Sequence, residues 1–193
     1  MLFRSIQIDS SVDMARIERE SKMTPFQKEK IEASIEKFQS LNIVVDDESS
    51  ITPTQMRTKA SAVCAKNNIG LIIVDYVGLL RVPKLEHDAT ATLSIVSKEV
   101  KAMAKELGAP VIALAQINRS GAEGRPELRH LKQCGSLEED CDIAMLLYRD
   151  EVQKNSKDVI AIIAKQRTGP IGDCPLIFER DQQKFRSEEH TSE

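Results

Sequence analysis

Tryptophan is absent from this chain of 193 residues, and only two Tyr and five Phe supply aromatic rings. A large aromatic cage around a ligand is therefore not expected. The four cysteines form no C-x-x-C pair and the three histidines are scattered singly, which indicates reduced thiols and offers no metal-ligand spacing. No apolar run approaches the length of a membrane span, and no signal-peptide pattern begins the chain. These absences predict a cytoplasmic protein without a membrane partner.

A large excess of either charge is also missing, since 27 Lys and Arg stand against 30 Asp and Glu. The net charge of −3 gives no general attraction to nucleic acid, so any such binding must come from a local basic loop. A hydrophobic content of 41% and a charged content of 30% are typical of a globular protein. The length predicts one domain with a substantial core.

One apolar run, Leu71-Ile72-Ile73-Val74, leads directly into Asp75. A continuous run of this kind predicts a strand buried on both faces of a parallel sheet. An aspartate at the carboxyl end of such a strand lies where open α/β sheets bind ligands, which is the position of a Walker B carboxylate that holds Mg²⁺ on a nucleotide. The run by itself fits equally well an ordinary aspartate that caps the next turn.

Helix and strand signals alternate in the first part of the chain. Thr24-Pro25-Phe26-Gln27 and Thr52-Pro53-Thr54-Gln55 each predict a helix start with a capping box and a proline at the first helical position. A further helix is predicted from the apolar spacing between Leu93 and Leu107, with Gly108 at its end. Strands are predicted at residues 42–46, 70–75, 110–115, 142–148, 158–164 and 175–178. This order predicts an α/β fold with a mostly parallel, helix-covered sheet and antiparallel strands at one edge.

Several segments, in order along the chain, resemble the C-terminal ATPase domain of DnaB-type replicative helicases, which has a RecA-like P-loop core. They are IVVDD, ITPTQMRTKA, LIIVDYVGLLRVP, KAMAKELGAPVIALAQINRS, SLEEDCDIAMLLYRDEV and AKQRTGPIG. The resemblance implies an enzyme that couples ATP hydrolysis to translocation on single-stranded DNA and to duplex unwinding in DNA replication. It implies ATP and Mg²⁺ as cofactors and a homohexamer that works with a helicase loader and a primase. The implied setting is the cytoplasm of a bacterial or phage-infected cell.

The resemblance also implies roles for single residues. Asp75 matches the Walker B carboxylate, which binds Mg²⁺ mainly through water. Gln116 matches a sensor of the γ-phosphate, a role that suits a neutral amide. Lys165 and Arg167 match a basic pair that reaches the γ-phosphate bound by the neighbouring subunit, and strand alternation points both side chains the same way. The alternative for Gln116, Lys165 and Arg167 is a polar side chain at a strand end in solvent.

The family's DNA-binding segment matches residues 131–136, where Lys132, Gln133 and Gly135 are the implied contacts. Here the chain departs from the usual Arg-Glu-Ser-Gly pattern. Lys132 keeps a positive charge but lacks the bidentate fork of arginine, whereas Gly135 leaves a backbone N–H open to a phosphate. Contact with the backbone and little base reading is what a motor on single-stranded DNA requires. The departure leaves the identity of the DNA contacts open.

The P-loop motif G-x-x-x-x-G-K-[ST] is missing, as is the family's catalytic glutamate, and both lie upstream of Met1 in the family layout. We therefore expect an N-terminally truncated fragment that binds nucleotide poorly and is inactive alone. Residues 1–185 are expected to form the partial ATPase domain, and residues 186–193 to be a non-native tail translated from a sequencing adapter. Two alternatives remain, a RadA-type recombination ATPase and, if Met1 is the true start, a nucleotide-independent interaction protein.

Overall fold

The computed structural model describes residues 2–13, 17–19, 21–83, 85, 87–117, 124–134, 137–149 and 157–187. The chain divides into two compact units. The first unit comprises Met1–Val45, Arg149–Ala161 and Asp173–Glu193, and the second comprises Asp46–Tyr148 and Ile162–Gly172. Asp75, Gln116, Lys165 and Arg167 all belong to the second unit, which therefore carries most of the candidate site.

Two helices of the first unit pack against each other, α1 at Leu2–Ser10 and α2 at Pro25–Ser40. Helix α2 begins with the predicted capping box, in which Gln27 N donates to Thr24 Oγ1 at 3.2 Å and Thr24 N donates to Gln27 Oε1 at 2.9 Å. Asp9 of α1 accepts hydrogen bonds from Lys37 and from Ser34 of α2, and these bonds, that from Lys37 first, lower the pKa of its carboxyl group. Residues 17–19 are also helical.

The helices of the second unit include α3 at Pro53–Cys64, α4 at Ala89–Leu107 and the short α5 at Leu137–Asp140. The capping box predicted at Thr52 is present, with Gln55 N donating to Thr52 Oγ1 at 3.2 Å. The prediction of a helix ending at Gly108 is also confirmed, because that glycine adopts the left-handed conformation with φ 62°. Stretches of 3₁₀ helix occupy Val77–Leu79 and Leu128–Cys134.

A two-stranded parallel sheet pairs β1, Ile72–Val74, with β2, Val111–Ala113. One face packs on the main core cluster, whose buried members are Met56, Val77, Leu80, Val96, Val100 and Met103. The other face is uncovered, since Ile73 is 57% exposed and Ile112 is 48% exposed. The prediction that the Asp75 strand is buried on both faces is therefore wrong for this chain, because nothing in the described residues covers that second face.

A second, four-stranded sheet has the order β3-β4-β5-β6. The bounds are Ile143–Tyr148 for β3, Asp158–Gln166 for β4, Gly172–Glu179 for β5 and Lys184–Ser187 for β6. Strands β5 and β6 are antiparallel, with Phe178 opposite Phe185 and 4.7 Å between their ring centroids. The α/β class with parallel and antiparallel pairing is confirmed, although the strands form two sheets rather than one.

Strand β6 is not predicted from the sequence, and it includes Arg186 and Ser187 of the predicted tail. Residues 188–193 lie outside the described residues, so the boundary at residue 185 stays a prediction. The strand predicted at residues 42–46 does not form, and Ile43, Val44 and Val45 are each about half exposed. Neither sheet includes these residues, and an extended segment becomes a strand only when a neighbour pairs with it.

Candidate functional site

Asp75 and Gln116 leave the parallel sheet at the same edge. Asp75 follows the last residue of β1, and the pairing is in register with Val74 opposite Ala113. The alignment continues past the strands, because Leu114 N donates to Val74 O and Val77 N donates to Leu114 O, both at 3.0 Å. Gln116 comes two residues after Leu114, and both Asp75 and Gln116 are exposed. This carboxyl edge is where α/β sheets bind their ligands.

The residues at this edge fit one part of a Mg²⁺–nucleotide site. Mg²⁺ keeps several waters and is usually held by one or two carboxylates together with substrate phosphates, so a single exposed carboxylate at Asp75 suits it. The described residues contain no group of three or more His, Cys, Asp or Glu side chains that could hold a metal ion by themselves. A phosphate cradle of the P-loop type is not part of this sequence.

The basic pair, Lys165 and Arg167, lies at the carboxyl end of β4 and contacts α5. Lys165 Nζ donates to the backbone oxygen of Glu138 and, at 3.2 Å, to that of Glu139. Arg167 Nη2 donates to the same Glu139 oxygen at 3.4 Å. Both side chains therefore lie on the same side of the strand, as the alternation predicts. Helix α5 begins one residue after the segment 131–136 predicted to bind DNA.

Asp142 links Arg167 to α4. Its Oδ1 lies 3.3 Å from Arg167 Nε, and its Oδ2 accepts a hydrogen bond from Lys101. The backbone is tied as well, because Arg167 N donates to Asp142 O at 3.1 Å. The hydrogen bond from Lys101, followed by the positive charges of Lys101, Arg167 and Lys165, lowers the pKa of the Asp142 carboxyl group. Asp142 is therefore a charged partner of both Arg167 and Lys101.

An open cavity of about 500 Å³ lies beside this cluster. Its lining combines residues from the last turns of α4 and the turn that follows with Asp142 and Arg167. The residues are Lys101, Ala104, Lys105, Gly108, Ala109, Pro110, Asp142 and Arg167. Asp142 is not among the site residues predicted from the sequence, although it lies within SLEEDCDIAMLLYRDEV, one of the segments that carry the family resemblance.

Cys141 separates Asp140 from Asp142 and is partly buried. Its Sγ donates to Glu138 O at 3.6 Å. Burial is the main cause that raises the pKa of this thiol, and the charge of Asp142 acts in the same direction. The raised pKa keeps the thiol protonated at neutral pH, which makes it a poor nucleophile. Ser97 on α4 donates to Asp140 Oδ2 at 2.7 Å, and this hydrogen bond joins the end of α5 to α4 next to Cys141.

The predicted DNA-binding residues are only partly described. Lys132 and Gln133 lie in the 3₁₀ segment Leu128–Cys134, but their side chains fall outside the described part of the structure, as does the whole of Gly135. Nearby, Arg129 pairs with Glu127 at 2.9 Å, and Glu127 N donates to His130 Nδ1 at 2.8 Å. Contacts of Lys132, Gln133 and Gly135 with DNA therefore stay predictions.

The parallel strand pair and the carboxylate at its edge are features of an α/β nucleotide-hydrolase domain. A family model described as "DnaB-like helicase C terminal domain" matches residues 1–187. The chain belongs to this family. The match favours the replicative-helicase interpretation over the RadA-type alternative. No helix within the described ranges combines the length and the apolar character needed to cross a membrane.

Curated relatives agree with the family assignment. The chain is 43% identical over 152 residues to the replicative DNA helicase DnaB of Buchnera aphidicola subsp. Acyrthosiphon pisum, a match that covers 75% of this chain and 33% of the relative. It is 38% identical over 194 residues to that of Pasteurella multocida, covering 96% of this chain and 42% of the relative. The chain thus spans less than half the length of these relatives.

Solved structures give the same fold. One solved ATPase domain superimposes with a TM-score of 0.87 at 30% sequence identity, covering 96% of this chain and 69% of that chain. A DnaB-like replicative helicase, solved in a study of its interactions with primase, also gives 0.87, at 31% identity and with 95% and 47% coverage. The RecA-like fold predicted from the resemblance is confirmed.

Proposed function

We propose that this chain is part of the motor domain of an ATP-dependent replicative DNA helicase, which couples ATP hydrolysis to translocation on single-stranded DNA and to duplex unwinding. Membership of the DnaB-like family and relatives named as replicative helicases support the proposal. The observation that carries it is the in-register parallel pair β1–β2, which delivers Asp75 and Gln116 to one edge of the sheet.

At this edge Asp75 holds Mg²⁺ on the nucleotide, mainly through water, and Gln116 senses the γ-phosphate. Bound Mg²⁺ neutralises charge on the phosphates. A carboxylate can bind a hydrated cation, whereas an amide can hydrogen-bond a phosphate oxygen or the attacking water without adding charge. The P-loop that cradles the ATP phosphates comes from residues that are not part of this sequence.

The basic pair acts in a homohexamer, where Lys165 and Arg167 reach the γ-phosphate bound by the neighbouring subunit. A cation supplied across an interface stabilises the charge that develops during phosphoryl transfer. Lys132, Gln133 and Gly135 contact single-stranded DNA in the central channel. Both side chains of the basic pair bind backbone oxygens of α5, which follows this loop directly in the chain. A shift of the loop on binding DNA would therefore move α5 and change the position of Lys165 and Arg167.

The partners follow from the same assignment. Primase is proposed as a partner because one structural relative was solved in a study of its interactions with primase. A helicase loader is the second partner, and the cytoplasm of a bacterial or phage-infected cell is the setting. These proposals concern the full-length protein, of which this chain would be the motor segment.

Arg167→Ala in the full-length protein tests the assignment. We expect DNA-stimulated ATP hydrolysis to fall by about 10³-fold or more, because a trans-acting arginine contributes about 10³–10⁵ to turnover in related phosphoryl transfers. Binding of a fluorescent ATP analogue is expected to be unchanged, since the P-loop and Asp75, which bind the nucleotide within its own subunit, are not altered.

Arg57→Ala is the matched control. Arg57 is also an arginine with acidic partners, at 3.4 Å from Glu99 and 3.9 Å from Glu106, but it lies on α3. Its replacement is expected to leave turnover unchanged. Normal turnover in Arg167→Ala would overturn the trans-acting role.

The interaction-protein alternative needs a different experiment. Reading the DNA upstream of the Met1 codon decides it, because an open frame with G-x-x-x-x-G-K-[ST] supports the motor. A stop codon close upstream would instead favour a nucleotide-independent protein.

A further inference from the structure

We propose that Asp142 is a positioning residue for Arg167, and that Lys101 anchors Asp142 to α4. The inference rests on the proposed function, because it concerns the placement of the trans-acting arginine. Asp142 would not touch the nucleotide of either subunit. Its effect would be to set the direction in which the Arg167 guanidinium leaves the end of β4.

The contacts of Arg167 come from one short stretch of chain, residues 139–142. Arg167 Nε lies 3.3 Å from Asp142 Oδ1, and Nη2 lies 3.4 Å from the backbone oxygen of Glu139. The backbone hydrogen bond from Arg167 N to Asp142 O, at 3.1 Å, fixes the base of the side chain. A guanidinium group is planar and rigid, so holding Nε and one Nη sets the orientation of the whole group.

The second carboxylate oxygen of Asp142 is held by Lys101 of α4. This helix is well anchored, because Val100, at 9% exposure, and Met103, at 0%, are both buried in the core. Lys101 keeps 24% of its side-chain surface exposed, which is less than Asp142 at 58% or Arg167 at 53%. The three side chains therefore form a chain of contacts that runs from the core helix to the exposed end of the arginine.

The contacts among Lys101, Asp142 and Arg167 are not expected to add much to the stability of the fold. Exposed ion pairs contribute little to stability, because solvent screens them. Their effect on the position of the Arg167 guanidinium can be large, because a displacement of about 1 Å of a group that acts on the transition state can lower turnover by about 10²-fold. Half of the Arg167 side chain remains exposed beside the open cavity, so the held arginine can still meet a neighbouring subunit.

The opposite role is that Asp142 restrains Arg167 until DNA binds. The two roles predict changes of opposite sign when the charge of Asp142 is removed. A restraint would give faster hydrolysis without DNA, whereas a positioning residue would give slower hydrolysis with DNA. The contacts on Arg167 favour positioning, because they hold its backbone, Nε and Nη2 while about half of the side-chain surface stays exposed.

Asp142→Asn in the full-length hexamer is the first variant, because it removes the charge and keeps the shape. We expect kcat for DNA-stimulated hydrolysis to fall about 10- to 100-fold while KM for ATP stays within about twofold, since only the transition state loses a contact. Asp142→Glu, which restores the charge, is expected to recover most of kcat. Lys101→Gln is expected to lower kcat in the same way through the other carboxylate oxygen.

Asp46→Asn is the matched control. Asp46 is also an exposed carboxylate that accepts a hydrogen bond from a lysine, Lys59, at 2.7 Å, and that bond likewise lowers its pKa. It has no described contact with the basic pair. Thermal melting of both Asn variants shows whether folding is retained, and kcat is expected to be normal in Asp46→Asn.

Mixed hexamers separate positioning from a general defect. Asp142→Asn subunits keep their own P-loop, while subunits with an alanine in place of the P-loop lysine keep an intact Arg167. If Asp142 acts through the trans-acting arginine, mixing the impaired Asp142→Asn protein with the inactive P-loop variant should restore activity above the average of the two proteins measured alone. Absence of restoration would overturn the inference.

Three other outcomes would overturn the inference, and they differ in what they imply for the proposed function. A kcat for Asp142→Asn within about twofold of wild type, with Arg167→Ala inactive, would overturn positioning and leave the proposed function standing. Faster hydrolysis without DNA would also overturn positioning and favour restraint. Normal turnover in Arg167→Ala would overturn the proposed function itself, and the inference with it.

Discussion

Replacing Met103 with alanine is expected to lower the free energy of unfolding by about 3–4 kcal/mol. Met103 lies on α4 at 0% exposure and is among the largest fully buried side chains of the described core. The substitution removes three heavy atoms, which at about 0.8 kcal/mol per buried methylene-sized group accounts for about 2.4 kcal/mol. The cavity that remains adds the rest, because a packed core relaxes only partly.

The same substitution at two other methionines provides a graded control. Met56→Ala, at a position 9% exposed in the same core cluster, is expected to cost slightly less than Met103→Ala. Met145→Ala is expected to change stability by no more than about 0.5 kcal/mol, because Met145 is 58% exposed on the outer face of β3. All three lie in the second unit.

Urea unfolding followed by circular dichroism measures the series on the full 193-residue chain. The midpoint should move while the denaturant slope stays constant, since none of the substitutions changes the overall surface exposed on unfolding. Equal losses at Met103 and Met145 would refute the reasoning, because they would mean that the core does not lie where the burial pattern puts it.

Two further predictions concern a helix cap and an ion pair. Thr52→Ala should cost about 1 kcal/mol in urea unfolding, because it removes the side chain that caps α3. Thr58→Ala should cost less, since Thr58 Oγ1 only donates back to Thr54 O within the helix, and equal costs would contradict the capping role. The pKa of Asp142 is lowered in the folded chain, so its contribution to stability is complete above the ordinary value of 3.8 and is lost as the pH falls through the lower folded value. The melting temperature should therefore fall less steeply in Asp142→Asn than in the unsubstituted chain between about pH 5 and pH 2. The same pH dependence in both proteins would contradict the ion pair.

The helix starts could be predicted from sequence because a capping box is local. Thr24 and Gln27, or Thr52 and Gln55, lie three residues apart and satisfy each other wherever the helix later packs. The end of α4 at Gly108 is local for the same reason. Burial is not local, and the Leu71–Val74 run predicts a two-sided strand whose second face has no cover among the described residues.

The candidate site divides along the same line. The positions of Asp75 and Gln116 follow from strand ends that pair in parallel, which alternating helices and strands predict. Asp142 could not be found in this way, because its proposed role depends on two contacts that are distant in sequence. Lys101 lies 41 residues earlier in the chain, and Arg167 lies 25 residues later. No spacing rule along the sequence brings those three together.

The position of Cys141 gives this domain a built-in chemical reporter. Its thiol is bonded to the Glu138 oxygen that also accepts from Lys165, and it is kept protonated by burial. A thiol-reactive reagent is therefore expected to modify it slowly while α5 stays in contact with the end of β4. Faster modification at Cys141, followed separately from the exposed Cys174 by peptide mapping, would report that the contact between α5 and the basic pair has opened.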